Sequence, residues 1–267
     1  MPLAVCATPI GNLDDVTLRV LAELRAADVV LCEDTRRTRG LLTRHGIEAR
    51  LLSYHEHNEA ARTAELLPRL AAGERVALVS DAGMPGMSDP GGRLVRAALD
   101  AGAAVTVLPG PSAVDTALVA SGLVGDRYLF LGFIPRGAKA LGSLWDEAAG
   151  WEWPAVAFES PKRLPATLRS LAAALPEREV AVCRELTKRF EEVVRGSASE
   201  LAERFAEPPK GEITLVLGPG RAPVPDEAPA LAAVAELVSL GVPRKRAADV
   251  VSGLTGIPRN RLYSDSL

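Results

Sequence analysis

Residues 76–92 read VALVSDAGMPGMSDPGG and contain the structural unit on which the fold is built. The apolar run Val76 to Val79 predicts a buried strand, and Pro90 to Ala101 predicts a helix with proline near its first turn. The segment that connects them, Ser80 to Gly92, holds four glycines, two prolines and two aspartates. So much backbone constraint in one loop indicates a shaped pocket after the strand.

The same pattern of strand, loop and helix recurs from residue 3 to residue 122. Further short apolar runs predict strands at Leu3 to Ala7, Val29 to Cys32, Leu51 to Ser53 and Val105 to Leu108. Helical spacing over Val16 to Leu24, opened by Asp14 and Asp15, predicts one of the intervening helices. The alternation indicates an N-terminal α/β domain, residues 1–122, with a parallel sheet and helices on both of its faces.

A second set of strands follows and predicts another α/β domain, residues 123–220. The predicted strands are Tyr128 to Phe133, Val156 to Phe158, Val180 to Cys183, Phe190 to Val194 and Ile213 to Leu217. The segments around Glu191 and Thr214 could form an antiparallel pair, so we expect a mixed sheet. Ser197 to Glu200 has the pattern of a capping box and predicts a helix that continues through Phe205.

A basic helical region, residues 226–267, ends the chain. The segment Gly218 to Gly220 and the prolines Pro223, Pro225 and Pro229 predict a linker before it. Short helices are predicted at Leu231 to Leu240, Pro243 to Leu254 and Pro258 to Tyr263. The basic residues of this region are Arg244, Lys245, Arg246, Arg259 and Arg261.

Composition limits the class of protein. The 267 residues are 48% hydrophobic and 24% charged, which excludes disorder and a fibrous fold. The formal net charge of −3 argues against nonspecific coating of nucleic acid, so any nucleic-acid contact must be local. Cys6, Cys32 and Cys183 lie far apart in apolar runs and predict buried thiols in a reducing compartment. We expect a cytoplasmic protein, because neither a signal peptide nor a membrane span is apparent.

Three loops carry the strongest candidates for chemistry. They follow the first, fourth and fifth predicted strands and comprise Thr8 to Leu13, Ser80 to Gly92 and Pro109 to Ala113. Ligands bind parallel sheets at the carboxyl ends of the strands, so we expect these loops to converge on one pocket. The dinucleotide fingerprint and the P-loop are both absent, which argues against the usual NAD and ATP chemistries. Asp89 and Ser112 could each be simple helix N-caps, and Asp81 is the better functional candidate.

Other polar segments have two interpretations each. Glu33 to Arg39 holds three arginines that suit phosphate groups, although a solvated helix face explains them equally well. His55 and His57 have a spacing that can bind metal, but the absence of a third ligand favours a surface turn. No metal site is therefore predicted.

Taken together and in order, the motifs resemble the ribosomal RNA small subunit methyltransferase I group of the tetrapyrrole methylase superfamily. They are Thr8 to Leu13, Glu33 to Arg36, Tyr54 to Glu59, Ser80 to Gly91, Glu159 to Pro161, Arg184 to Lys188 and Lys210 to Glu212. The match runs from residue 8 to about residue 217 and includes a similar basic helical tail. One departure is Lys162, which stands where related sequences commonly have histidine.

The resemblance implies two α/β domains with S-adenosylmethionine bound in the cleft between them, and a homodimer. It implies 2′-O-methylation of a cytidine in the decoding region of 16S rRNA within the small ribosomal subunit, expected at cytidine 1402. The residues carried over as donor-binding are Pro9, Gly11, Asp81, Gly83, Met84, Ser112, Ala113, Phe158, Glu185 and Glu212.

A general base would help to deprotonate a ribose hydroxyl, and either a carboxylate or a neutral lysine could serve. Our candidates are Asp34, Glu159 and Glu185, because each is an acid at the end of a predicted strand. The residues expected to bind RNA phosphates are Arg36, Arg37, Arg184 and Lys188.

Two alternatives remain open at this point. The same fold could methylate a small tetrapyrrole, since fold does not determine substrate. The chain could also be a non-enzymatic nucleic-acid-binding regulator whose tail forms a helix-turn-helix.

Overall fold

A five-stranded parallel sheet forms the first half of the computed structural model, which describes residues 2–220 and 227–265. Its strands are β1 (Leu3–Cys6), β2 (Val29–Cys32), β3 (Leu51–Ser53), β4 (Val76–Val79) and β5 (Val105–Leu108). They lie in the order β3-β2-β4-β1-β5, and every neighbouring pair is parallel. All residues of β1, β2 and β4 are buried, as continuous apolar runs predict for strands covered on both faces.

Helices connect these strands and cover both faces of the sheet. They are α1 (Leu18–Ala26), α2 (Thr35–Arg44), α3 (Glu59–Ala71), α4 (Gly92–Asp100) and α5 (Ala113–Ser121). The prediction that Asp14 and Asp15 open α1 was wrong. Both lie in a separate 3-10 turn, and Thr17 is the N-cap of α1 because its hydroxyl accepts a hydrogen bond from the amide of Val20. The helix predicted from Pro90 begins at Gly92.

The second sheet is mixed, which confirms the predicted fold class. Its strands are β6 (Leu129–Phe133), β7 (Ala155–Glu159), β8 (Glu179–Arg184), β9 (Glu192–Ser197) and β10 (Ile213–Leu217). The order is β6-β7-β10-β8-β9, and only β6 and β7 are parallel. The expected pairing of the Glu191 and Thr214 segments was wrong. A short turn folds β9 back onto β8, and the fully buried β10 takes the centre between β7 and β8.

Helices α6 (Ala138–Ala149), α7 (Leu164–Ala174) and α8 (Ala198–Arg204) accompany the second sheet. The capping box of α8 is present, because the Ser197 hydroxyl and the Glu200 carboxylate each bond to the other's backbone amide. Helix α5 packs its apolar residues against the second sheet, where Val114 and Leu118 join a core with Val156 and Val216.

The chain divides into two compact units. The first contains residues 2–146 and 153–219, and therefore both sheets. The separate domains predicted at 1–122 and 123–220 each contain one sheet, and their independence as domains stays a prediction. Cys6, Cys32 and Cys183 are buried free thiols, as predicted.

The second unit contains residues 147–152 and the described residues from 220 onward. Its helices α9 (Glu227–Ser239), α10 (Arg244–Thr255) and α11 (Arg259–Asp265) enclose a small core that includes Val234, Ala248 and Leu262. Pro229 lies in the first turn of α9, where proline is tolerated, so its assignment to the linker was wrong. Pro223 and Pro225 lie outside the described residues. Within the described parts of the chain, no helix is long and apolar enough to cross a membrane.

Candidate active site

The loops after β1, β4 and β5 meet at one edge of the first sheet. The amide of Thr8 donates to the carbonyl of Gly83 at 2.8 Å, and the amide of Gly83 donates back at 3.1 Å. Gly83 has φ of 82°, which favours glycine, and a Cβ there would lie 3.8 Å from the carbonyl oxygen of Pro111. The convergence expected from the sequence is therefore present.

A cavity of about 480 Å³ lies between these loops and the second sheet. Seven of the predicted donor-binding residues line it: Asp81, Gly83, Met84, Ser112, Ala113, Phe158 and Glu212. Pro9 and Gly11 line a neighbouring cavity of about 290 Å³, and Glu212 contributes to both. We call these two spaces the large cavity and the small cavity.

Aromatic side chains from the second sheet line the large cavity. The ring of Phe158 contacts Phe130 and Phe133 edge-on, with centroid distances of 5.2 and 5.5 Å. Residues 130 and 133 would face opposite sides of a regular strand. The ladder between β6 and β7 shifts register there, and Gly132 has φ of 65°, so both rings reach Phe158. Phe130 and Phe133 were not predicted from the sequence as site residues.

Carboxylates form the polar wall of the large cavity. Asp89 lines it, and burial together with the charges of Glu33 and Asp81 raises the pKa of Asp89 to about 6, against a hydrogen bond from Ser80. Asp81 and Asp115 also line this cavity, and Glu33 lies near Asp89. The N-cap interpretation of Asp89 was wrong, because Gly91 precedes α4 with φ of 136°.

Asp81 connects the loop after β4 to the start of α2. One carboxylate oxygen accepts a hydrogen bond from the amide of Asp34 at 3.0 Å, and the other lies 3.6 Å from Nε of Arg37. Arg37 lines both cavities. Asp81 therefore fixes the position of α2 beside the cavities.

Asp34 itself is the N-cap of α2. It accepts a hydrogen bond from the Arg36 amide at 2.8 Å, and the Arg36 guanidinium binds both of its carboxylate oxygens. The hydrogen bonds from the Arg36 side chain, and then its amide, lower the pKa of Asp34 to about 2. Asp34 is thus a weakly basic carboxylate, and both of its oxygens are hydrogen-bonded to Arg36.

Glu159 lines the large cavity but is fully engaged. Its side chain has 0% exposure, and it accepts hydrogen bonds from the Thr167 hydroxyl at 2.5 Å and the Ser160 amide at 2.7 Å. The Arg163 guanidinium lies 3.2 Å away. These contacts hold the turn after β7, and the neighbouring Lys162 is exposed.

Glu185, Lys188 and Glu212 form a network at the start of β10. Nζ of Lys188 lies 2.9 Å from Glu185 and 2.8 Å from Glu212, and the amide of Glu212 donates to Glu185 at 2.9 Å. That amide, then Lys188, lowers the pKa of Glu185. Burial acts to lower the pKa of Lys188, but its hydrogen bonds to Glu212 and Glu185 outweigh burial and raise it. Lys188 is therefore a cation and not a neutral base.

The remaining predicted residues divide between the cavities and the surface. Arg36 lines the small cavity, as do Arg37 and Lys188. Arg184 instead pairs with Glu192 at 3.0 Å across the β8–β9 hairpin.

The Tyr54 to Glu59 motif has a role that the sequence did not reveal. The Glu59 carboxylate accepts hydrogen bonds from the Tyr54 hydroxyl and the Gly91 amide, both at 3.1 Å. Glu59 therefore anchors the loop from Ser80 to Gly92, which contains Gly91. The His55 and His57 rings lie 5.9 Å apart, and the described residues contain no group of three or more side chains suited to a metal ion.

Known proteins are similar to this chain in sequence and in fold. The family model for Tetrapyrrole (Corrin/Porphyrin) Methylases matches residues 2–202. The chain is 44% identical to "Ribosomal RNA small subunit methyltransferase I" of Mesorhizobium japonicum, over 98% of this chain and 90% of that protein. It is 45% identical to the protein of the same name from Mycobacterium bovis, over 98% of this chain and 93% of that one.

Two solved structures share the fold at low identity. The methyltransferase CobJ matches with a TM-score of 0.62 and 21% identity, over 81% of this chain and 93% of that one. The uroporphyrin-III C-methyltransferase of Thermus thermophilus, complexed with S-adenyl homocysteine, matches with a TM-score of 0.59 and 18% identity, over 81% and 96%. The chain thus belongs to the tetrapyrrole methylase family and, within it, to the ribosomal RNA small subunit methyltransferase I group.

Proposed function

We propose that this protein transfers a methyl group from S-adenosylmethionine to the ribose 2′-oxygen of a cytidine in the decoding region of 16S rRNA. The observation that carries the proposal is the large cavity, which combines aromatic side chains with a wall of carboxylates at the carboxyl ends of β1, β4 and β5. The names of the close relatives support an acceptor in small-subunit ribosomal RNA.

The residues of the large cavity fit this donor. S-Adenosylmethionine carries a sulfonium and an ammonium group, and when bound it supplies an electrophilic methyl group. Asp89 and Asp81 present negative charge to such a cation, and the Phe158 ring offers an apolar surface to a purine. Ser112 caps α5 by accepting from the amide of Asp115, which leaves its hydroxyl hydrogen able to donate to the donor's ribose or carboxylate.

The contribution of the protein to the chemistry is mainly geometric. In an in-line displacement the ribose oxygen would bond to the methyl carbon while the carbon–sulfur bond breaks on the opposite side. S-adenosylhomocysteine would leave, and the hydroxyl proton would pass to solvent water. Holding both reactants in that arrangement provides roughly 7 to 11 kcal/mol of the barrier reduction. Loops joined by the Thr8 and Gly83 hydrogen bonds give the walls the rigidity that this task needs.

In this proposal none of the three candidate bases accepts the proton, because each is held by neighbouring groups. Asp34 is held by Arg36, and Glu185 is held by Lys188 and the Glu212 amide. Glu159 is enclosed by Thr167, Ser160 and Arg163. We assign all three as positioning residues that fix α2, the turn after β8 and the turn after β7.

The family resemblance also supports a homodimer in the cytoplasm. Sedimentation velocity of the purified protein tests this: the proposal expects a dimer at micromolar concentration, and a monomer contradicts it.

The activity is tested with purified protein, labelled S-adenosylmethionine and small ribosomal subunits that lack modifications. We expect label on a single cytidine, at a linkage that resists alkaline hydrolysis. Label on the base, or on another nucleotide, would contradict the assigned position. Label transferred to a small tetrapyrrole and not to RNA would instead favour the alternative that the fold permits.

A further inference from the structure

We propose that the small cavity is the pocket for the acceptor nucleotide, so that its ribose lies at the wall shared with the large cavity. This inference rests on the proposed function and specifies how the RNA enters. The small cavity is bounded by α2 and by the loops after β1 and β4.

The two cavities share a wall. Five residues line both of them: Ile10, Arg37, Asp81, Ala82 and Glu212. A group bound in one cavity is therefore separated from the other by no more than these side chains. The volume of about 290 Å³ is near the lower limit for small-molecule sites, so the small cavity suits one nucleoside and not a helical segment.

The charges of the cavities are complementary to the two substrates. Five carboxylates line the large cavity against one cation, Arg37. Three cations line the small cavity, Arg36, Arg37 and Lys188, against the two carboxylates of Asp81 and Glu212. The Arg36 side chain is 89% exposed and uses only Nε and Nη2 to bind Asp34, and a guanidinium has further donors for phosphate oxygens. A polyanionic acceptor is thus favoured at the small cavity and a cationic donor at the large one.

Hydrogen bonds, packing and ion pairs hold the walls of the small cavity. The amide of Asn12 donates to the Thr187 hydroxyl at 3.0 Å, and Gly11 packs against the same turn. Lys188 of that turn is held by the carboxylates of Glu185 and Glu212. Walls held by such contacts lose less conformational entropy when a nucleotide binds.

Gly40 is a position in the lining of the small cavity where a side chain can be added without a clash. It lies in α2 and lines the small cavity but not the large one, and no atom lies within 4 Å of the position that its Cβ would occupy. Glycine is also less favourable in a helix than alanine by roughly 0.8 to 1 kcal/mol, and leucine ranks close to alanine. Gly40→Leu should therefore fold well while it occupies space in the cavity.

The matched control is Gly142→Leu. Gly142 lies inside α6, also has no atom within 4 Å of its Cβ position, and lines neither cavity. The wild-type protein and both variants are compared in three measurements: donor affinity by calorimetry, binding to unmodified small subunits by filter retention, and the rate of methyl transfer to those subunits.

For Gly40→Leu we expect unchanged donor affinity and a fall of about 100-fold in methyl transfer, because misplacement by an ångström costs that much. Filter retention should show weaker subunit binding, and Gly142→Leu should match the wild type throughout. Equal transfer by Gly40→Leu and the wild type would overturn the pocket assignment alone. Loss of donor affinity in Gly40→Leu would also overturn the pocket assignment, because it would show that the donor occupies the small cavity. Absence of RNA methylation by the wild type would overturn the proposed function and this inference together.

Discussion

Gly11 and Lys188 approach so closely that a Cβ atom on Gly11 would lie 2.5 Å from Cγ of Lys188. The same Cβ would lie 2.8 Å from the backbone carbonyl of Leu186, which cannot move aside as a side chain can. The loop after β1 therefore docks on the turn after β8, and this contact joins the two sheets at the small cavity.

Gly11→Ala should disrupt that docking. Overpacking of this kind costs typically about 1 to 3 kcal/mol of stability, and displacement of the loop should also weaken donor binding through its hydrogen bonds to Gly83. Urea denaturation and calorimetry measure the two effects. Gly40→Ala is the control, since an alanine there meets open space. Identical behaviour of the two variants would contradict the docking role of Gly11.

Asp89 should make donor binding depend on pH. Its carboxyl has a pKa of about 6, so it is charged at neutral pH and becomes protonated as the pH falls through 6. A cationic donor binds the charged form better, so affinity should be constant above about pH 7 and should fall below pH 6 by up to about tenfold per pH unit. Calorimetry with S-adenosylmethionine from pH 5 to 8 measures this dependence.

Asp89→Asn is the companion variant. It should bind the donor more weakly at pH 8 and should show little change in affinity between pH 5 and 8. Its fold should be more stable than the wild type at pH 8, because burial raises the pKa of Asp89 and so penalises its charged form in the folded state. A variant that retains the pH dependence would show that another group causes it.

Glu159→Gln should affect stability more than chemistry. The substitution keeps the volume but weakens the contacts with Arg163 and Thr167, and breaking a buried ion pair costs about 3 to 5 kcal/mol, less here because Arg163 is partly exposed. The melting temperature should fall, while methyl transfer per folded molecule should stay within about tenfold. A loss of about a thousandfold in transfer at wild-type stability would instead identify Glu159 as a catalytic base.

Asp34→Asn should be tolerated. Asparagine caps helices as well as aspartate does, and the pair that is lost lies at the surface. Methyl transfer should remain within about tenfold of the wild type at pH 7.5. A rate that collapses while donor affinity is retained would restore Asp34 as a base, in spite of its hydrogen bonds with Arg36.

Sequence alone predicted the parts of the fold that depend on local patterns. The apolar runs at Val29 to Cys32 and Val76 to Val79 form strands with those bounds. Ser112 and Ser197 are N-caps, because each hydroxyl accepts a hydrogen bond from the backbone amide three residues later. Strand order in the second sheet escaped prediction, because β10 reaches the centre through pairing with segments distant in sequence.

The candidate site, too, was predictable only in part. Loops at the ends of β1, β4 and β5 were predictable from topology, and most of the donor-binding residues proposed there line the large cavity. The environment of a carboxylate was not predictable, since Asp34 and Asp89 look alike in sequence. Asp34 accepts hydrogen bonds from Arg36, which lower its pKa. Asp89 is largely buried and lies near two negative charges, which raise its pKa. Gly132 was the only sequence signal that Phe133 turns back toward Phe130.

The central claim is methyl transfer to a ribose hydroxyl of small-subunit RNA. Its most direct test is incubation of the purified protein with labelled S-adenosylmethionine and unmodified small subunits, followed by nucleotide mapping and alkaline hydrolysis. Label confined to one cytidine with an alkali-resistant linkage is the predicted result. Donor binding in calorimetry without any labelled RNA would contradict the claim.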